Sequence, residues 1–224
     1  MVAATHSLQP DRRKFLAGAG IAAAGLAIPL ASSASRWTAP RPLPRVAAAP
    51  VSAAPDLDMP RLFPRALAAL DAHGGRIAHR DRIGVVDFAQ ASREPRFHLV
   101  DLASGDVSSH LVAHGSGSDP ERSGWLHRFS NQPDSNASSR GAFLTSAEYV
   151  GKHGRSRRLI GLDPDNDMAE PRAIVIYAAD YVSETMAAAQ GLIGRSQGCF
   201  AFTAAALGDV MDRLGPGRLI FAWK

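Results

Sequence analysis

Cysteine occurs once in the 224 residues, at Cys199. That excludes a disulfide within the chain and any multi-cysteine metal site. Lysine is nearly as scarce, with only Lys14, Lys152 and Lys224. Aromatic residues are 7% of the chain, and no Lys/Arg stripe interleaves with them. Base-stacking platforms are therefore missing, and nucleic acid is not an expected partner despite the formal charge of +4. That charge is concentrated at one end. Residues 1–55 hold Arg12, Arg13, Lys14, Arg36, Arg41 and Arg45 against the single acid Asp11, whereas residues 56–224 hold 19 basic and 20 acidic side chains. Hydrophobic residues make up 46% and charged residues 21%, a globular balance, and the length suits one sizeable domain.

The basic end has its own pattern. Asp11-Arg12-Arg13-Lys14-Phe15-Leu16 leads into an uncharged Ala/Gly-rich run from Phe15 to Ser35, and Ser32-Ser33-Ala34 places small residues where a leader is cut. The paired arginines resemble a twin-arginine export signal over residues 1–34, with cleavage after Ala34. Export machinery is then an expected partner, and the periplasm or cell envelope the expected destination. Membrane contact follows only if the leader stays uncleaved, and Gly18, Gly20, Gly25 and Pro29 make the run a poor span. Gly18-Ala19-Gly20 followed by Gly25 mimics a dinucleotide-binding loop, but no strand precedes it and the spacing is wrong, so no cofactor is expected. Residues 35–60 carry Pro40, Pro42, Pro44, Pro50, Pro55 and Pro60 among alanines, a spacer composition. The folded domain is expected over 61–224.

Within that domain the pattern predicts a helix at 65–73, stopped by Gly74-Gly75. Strands are expected at 83–88, 97–102, 107–113, 142–150, 157–162, 172–178 and 218–223, and further helices at 183–190 and 203–213. Residues 115–140 read as a long Ser-, Asn- and Gly-rich loop region anchored by Trp125 and Phe129. Many strands with few short helices make a mainly β domain.

Cys199 sits in Gly194-Arg195-Ser196-Gln197-Gly198-Cys199-Phe200. A lone cysteine is most often a packed core residue. Two glycines, an arginine, a serine and a glutamine make a poor core strand, however, and suit a tight turn that exposes backbone N–H groups. Such groups can hold an oxyanion, and a nearby cation favours thiolate.

Residues 82–224 resemble the murein L,D-transpeptidase catalytic-domain family of the YkuD-like superfamily. The resemblance is carried by Val112-Ala113-His114-Gly115, Phe129-Ser130-Asn131, Ser138-Ser139-Arg140-Gly141, Gly151-Lys152-His153-Gly154, Ser156-Arg157-Arg158-Leu159, Gly161-Leu162, Asn166-Asp167, Arg172-Ala173-Ile174-Val175, Tyr181-Val182-Ser183-Glu184 and the Gly194–Cys199 stretch. It implies a β-sandwich or barrel and acyl transfer on peptidoglycan stem peptides. Cys199 would attack the carbonyl before the terminal D-residue and form a thioester, which an amine or water resolves. Gly198 and Cys199 N–H groups would serve the oxyanion, with Ser196 beside the base. Arg195 would either hold a substrate carboxylate or form a fold-stabilising ion pair, and His114 and His153 are expected to reach the substrate pocket. One position departs from the pattern: the family's catalytic His is Tyr177 here, in Ile174-Val175-Ile176-Tyr177. A phenol near pKa 10 is a poor proton acceptor at neutral pH beside an imidazole near 6.5. This leaves two readings, an active enzyme and a catalytically impaired wall-binding protein on the same fold. His110 and His114, four apart, share a strand face, but no nearby acid completes a metal set, and no metal is expected.

Overall fold

Strand β1 (Arg82–Asp87) is apolar and buried at its four central positions because both of its faces are covered there. Ile83 and Val85 point to one side, where they meet Leu62, Phe63, Ala66 and Leu70 of helix α1 (Leu62–Ala72). Val86 points to the other, into a cluster with Phe88, Phe97, Phe143, Phe200 and Phe202. Gly84 shares that second face, and a Cβ there would stand 2.8 Å from the Phe97 ring. The computed structural model describes residues 61–224. The export-signal and spacer expectations for 1–34 and 35–60 lie outside the described residues.

The other strands are β2 (Phe97–Asp101), β3 (Val107–His110), β4 (Gly141–Gly151), β5 (Gly154–Gly161), β6 (Val175–Ala178), β7 (Phe200–Phe202) and β8 (Leu219–Trp223). With β1 they form one sheet in the order β3-β2-β1-β8-β4-β5-β6-β7. The β1–β8 and β6–β7 pairs are parallel, and the other neighbours are antiparallel. Beyond β3 the chain turns toward β7, where the Ala113 N–H donates to the Ala201 carbonyl at 2.9 Å. The sheet thus nearly closes into a barrel, as the mainly β expectation required. Edge-to-face pairs fill the interior, Phe97 on Phe202 at 4.8 Å and Phe143 on Phe200 at 5.4 Å.

Helices α2 (Glu184–Gln190) and α3 (Ala204–Arg213) begin at capping residues, Ser183 accepting from the Met186 N–H and Thr203 from the Ala206 N–H. Leu207, Val210 and Met211 of α3 pack into the barrel cluster.

Three expectations need correction. β3 ends at His110 because the buried Arg96 guanidinium takes the Val112 carbonyl at 3.0 and 3.2 Å, drawing the chain away from β2. β6 starts at Val175 because Ala173 turns the chain with φ of +53°. Trp125 does not anchor the long loop: it is 45% exposed, while its neighbour Leu126 is fully buried and Phe129 packs against the barrel cluster.

Candidate active site

The turn carrying Cys199 is fixed from behind. The Ser196 N–H donates to the His114 carbonyl at 2.9 Å, and the Ser116 N–H returns a bond to the Ser196 carbonyl at 2.8 Å. Within the turn, Ser196 Oγ donates to the Cys199 carbonyl at 2.7 Å and accepts from the Gly198 N–H at 3.1 Å. Ser196 therefore closes the turn. It also occupies the Gly198 amide, which corrects the expectation that this N–H waits for an oxyanion. Gly198 itself has φ of +107°, and a Cβ there would lie 2.6 Å from the Ala137 carbonyl. Only glycine fits that position without displacing the chain.

Cys199 is partly exposed and reaches out of the turn between two clusters, the barrel interior and an outer patch of Val175, Tyr177, Val182 and Ala201. Its thiol donates to the Ala173 carbonyl at 3.6 Å. Burial pushes the thiol pKa up, opposed by a backbone N–H of Val175 and by the charges of Arg172 and Lys152. The resting group is thus a thiol.

Of the two cations that act on the thiol, Arg172 has the larger effect. It donates to the Ser130 carbonyl at 3.0 Å, to Ser139 Oγ at 2.7 Å and to the Ala137 carbonyl at 2.5 Å. Among the described residues no carboxylate lies within ion-pair distance of it. Burial lowers its pKa, and the Cys199 charge opposes that shift. Its positive charge is therefore left for the thiolate or for a ligand. Arg172 lies within a matched stretch of the sequence but had no expected role, and with Glu170 two residues before it no local signal marks it as unpaired.

Tyr177 faces the same outer patch from β6. Its hydroxyl pairs with the Tyr181 hydroxyl at 2.5 Å. Burial, with the Tyr181 bond and the Cys199 charge, pushes the Tyr177 pKa well above the usual phenol range. Burial raises Tyr181 too, against a lowering contribution from Tyr177. Tyr181 had no predicted role, and it keeps its place because Gly194 packs on it: a Cβ at Gly194 would sit 2.5 Å from Tyr181 Cβ. Over this pair lies His153, at the tip of the β4–β5 hairpin, its ring stacked on Tyr177 with centroids 4.3 Å apart and planes at 24°.

Cys199, Ser196, Gly198, Tyr177 and His153 are thus brought together, and two predicted residues are not. His114 is fully buried, its Nδ1 2.7 Å from Arg96 and its Nε2 3.4 Å from Asp119. Its backbone holds the turn, but its ring cannot meet a substrate, so a substrate-binding role is corrected. Burial, with the Arg96 charge, lowers its pKa to about 4, against the pull of Asp119. Burial also lowers Arg96, to about 9. Burial acts to raise Asp119, but bonds from Ser123 and Gly124 and the His114 charge bring it below the usual carboxylate range. Arg195 donates to the Asp119 main-chain carbonyl, and among the described residues no carboxylate lies within ion-pair distance of it. Neither predicted role for Arg195 matches this contact. No group of three or more His, Cys, Asp or Glu among the described residues is placed to hold a metal.

The family model for the L,D-transpeptidase catalytic domain matches residues 56–223. The chain belongs to this family. No curated protein matches it. Among solved structures, an L,D-transpeptidase from Mycobacterium smegmatis is similar at 14% identity, over 64% of this chain and 59% of that one, with a TM-score of 0.40. An L,D-transpeptidase from Xylanimonas cellulosilytica is similar at 17% identity, over 71% and 70% of the two chains, with a TM-score of 0.39. The helical cell shape determining protein Pgp2 (K307A mutant) from Campylobacter jejuni is similar at 9% identity, over 71% and 54%, with a TM-score of 0.42. The chain spans about three fifths of the length of the M. smegmatis protein. In this L,D-transpeptidase-family domain, the Gly194–Cys199 turn and the groups around its thiol form the candidate active site.

Proposed function

We propose that this protein is an exported peptidoglycan L,D-transpeptidase-type acyltransferase that works on stem peptides through a Cys199 thioester. One observation carries the reading. A partly exposed thiol stands on a glycine turn near Arg172, a guanidinium with no carboxylate partner among the described residues. The thiolate attacks the carbonyl before a terminal D-residue, and that residue leaves as the free amine. An acceptor amine, or water, then releases the acyl group. The Cys199 amide is the backbone donor available to the oxyanion, since the Gly198 amide is bonded to Ser196. The membership of the chain in the family supports the substrate class, and the leader-like residues 1–34 support the destination in the periplasm or cell envelope.

The test is mass spectrometry of the full chain incubated with a β-lactam and, separately, with a stem tetrapeptide. A covalent adduct on Cys199 that disappears in Cys199→Ala is the expected result. An adduct elsewhere, or none, contradicts the proposal.

The second reading, a wall-binding protein with impaired turnover, rests on the bonded Tyr177–Tyr181 pair, in which both phenols hold their protons. It predicts retention on isolated peptidoglycan with no adduct and no released D-residue.

A further inference from the structure

A thiol raised by burial needs a proton acceptor before it can attack. The groups around Cys199 can be taken in turn. Tyr177 and Tyr181 hold their protons and are bonded to each other. Arg172 has only donors, aimed at Ser130, Ser139 and Ala137. Lys152 acts on the thiol as a positive charge. Ser196 Oγ is bonded on both sides within the turn. The Ala173 carbonyl receives the thiol hydrogen but is not a base. His114 is sealed behind the turn between Arg96 and Asp119.

Four of the remaining imidazoles among the described residues are engaged elsewhere. His73 bonds Asp163, His98 bonds Ser109, His110 lies against Asp209, and His127 bonds Ser123. His79 lies at the Gly217 turn. His153 differs from all of these. It is exposed, its ring nitrogens make no hydrogen bond among the described residues, and its ring rests on the face of Tyr177. The register explains how it gets there. Arg157 and Arg158 of β5 pair with Ile176 and Val175, so the hairpin tip at Gly151–Gly154 overhangs the Tyr177 end of β6. β6 in turn runs parallel to β7, with Tyr177 opposite Ala201, so Cys199 falls beside Val175 on the same outer face. Lys152, next to His153 on that tip, is already close enough for its charge to act on the Cys199 thiol.

We propose that His153 is the base of acyl transfer, brought to the Cys199 thiol by the β4–β5 hairpin across the face of Tyr177. The inference rests on the acyl-transfer reading above. His153 takes the thiol proton as the sulfur bonds the substrate carbonyl carbon. The C–N bond to the terminal D-residue then breaks, and the proton passes from His153 to the departing amine. In the second half, an incoming amine attacks the thioester carbon. Its proton goes to His153 and then to the leaving sulfur, which restores the thiol and the neutral imidazole. The Tyr177 ring serves as the platform on which the imidazole sits.

The test measures the rate of Cys199 acylation by a β-lactam and by a stem tetrapeptide in the full chain. His153→Ala and His153→Gln should each slow it by about 10²–10⁴-fold, the usual worth of a positioned base. The Gln variant keeps a side chain of similar reach without a basic nitrogen. Free imidazole in the buffer should recover part of the rate in His153→Ala. Adding Tyr177→His to His153→Ala should recover more, since it installs an imidazole beneath the hairpin. If both His153 variants acylate at the native rate while Cys199→Ala is inert, His153 is not the base and the acyl-transfer reading stands. If the native protein forms no Cys199 adduct with either probe, both proposals fall.

Discussion

Two histidines in matched motifs meet opposite fates on the two sides of one turn. His114 lies behind the Cys199 turn in a sealed network with Arg96 and Asp119, and its neutral ring serves the scaffold. His153 lies in front, exposed on a hairpin tip and stacked on Tyr177. The difference teaches that burial and partners, not motif membership, decide what an imidazole can do. The rear network is rigid and polar because every member is bonded. Asp119 alone accepts from the Ser123 amide, the Ser123 hydroxyl and the Gly124 amide. The front cluster keeps unpaired charge and an open thiol.

Gly198 joins the two sides, so replacing it has the largest expected effect on acylation and strikes folding stability as well. Gly198→Ala puts a Cβ 2.6 Å from the Ala137 carbonyl at a φ of +107°. The cost is about 1–3 kcal/mol of folding stability. The displaced turn should also lose most Cys199 acylation. Thermal unfolding and adduct formation measured on the same sample check both, and a variant with native values for each would show that the turn is slack.

Next comes the anchor of the long loop. Leu126→Ala should cost about 2–5 kcal/mol, as for other fully buried leucines. Trp125→Ala, at an exposed site, should stay within about 0.5 kcal/mol of native. Chemical denaturation of the pair reads the contrast directly, and equal effects would restore Trp125 as an anchor.

The rear network also predicts a pH dependence. The folded His114 pKa is about 4, below the ordinary 6.5, so the unfolded chain binds the proton more readily between those values. Stability should be full above about pH 6.5 and fall as pH drops toward 4, by on the order of 3 kcal/mol in all. Arg96, Asp119 and Arg195 are the charged groups that bear on this ring. Asp119, itself lowered, adds its own loss at still lower pH, as it protonates. Denaturant midpoints across pH 4–7 should show the slope, and His114→Gln should flatten it.

Much of this was legible in the chain. Alternation and turn residues placed seven of the eight strands and missed β7, a three-residue strand directly after the Cys199 turn, while helices α2 and α3 begin within a residue of their expected starts. The glycines and Ser196 around Cys199 announced the turn. What stayed hidden depended on contacts between distant segments. The early end of β3 follows from Arg96, 16 residues upstream of the carbonyl it takes. The charge left over on Arg172 depends on which carbonyls fold against it, and the stacking of His153 depends on the β5–β6 register. No local pattern encodes those pairings.

The central claim is that Cys199 is a working nucleophile despite a bonded phenol at position 177. A time course of Cys199 acylation by a stem tetrapeptide, followed by intact-protein mass spectrometry with release of the D-residue, tests it most directly. The account predicts an adduct in the native chain that forms and then turns over when an acceptor amine is added. A native chain that binds peptidoglycan but never carries an adduct on Cys199 would contradict it.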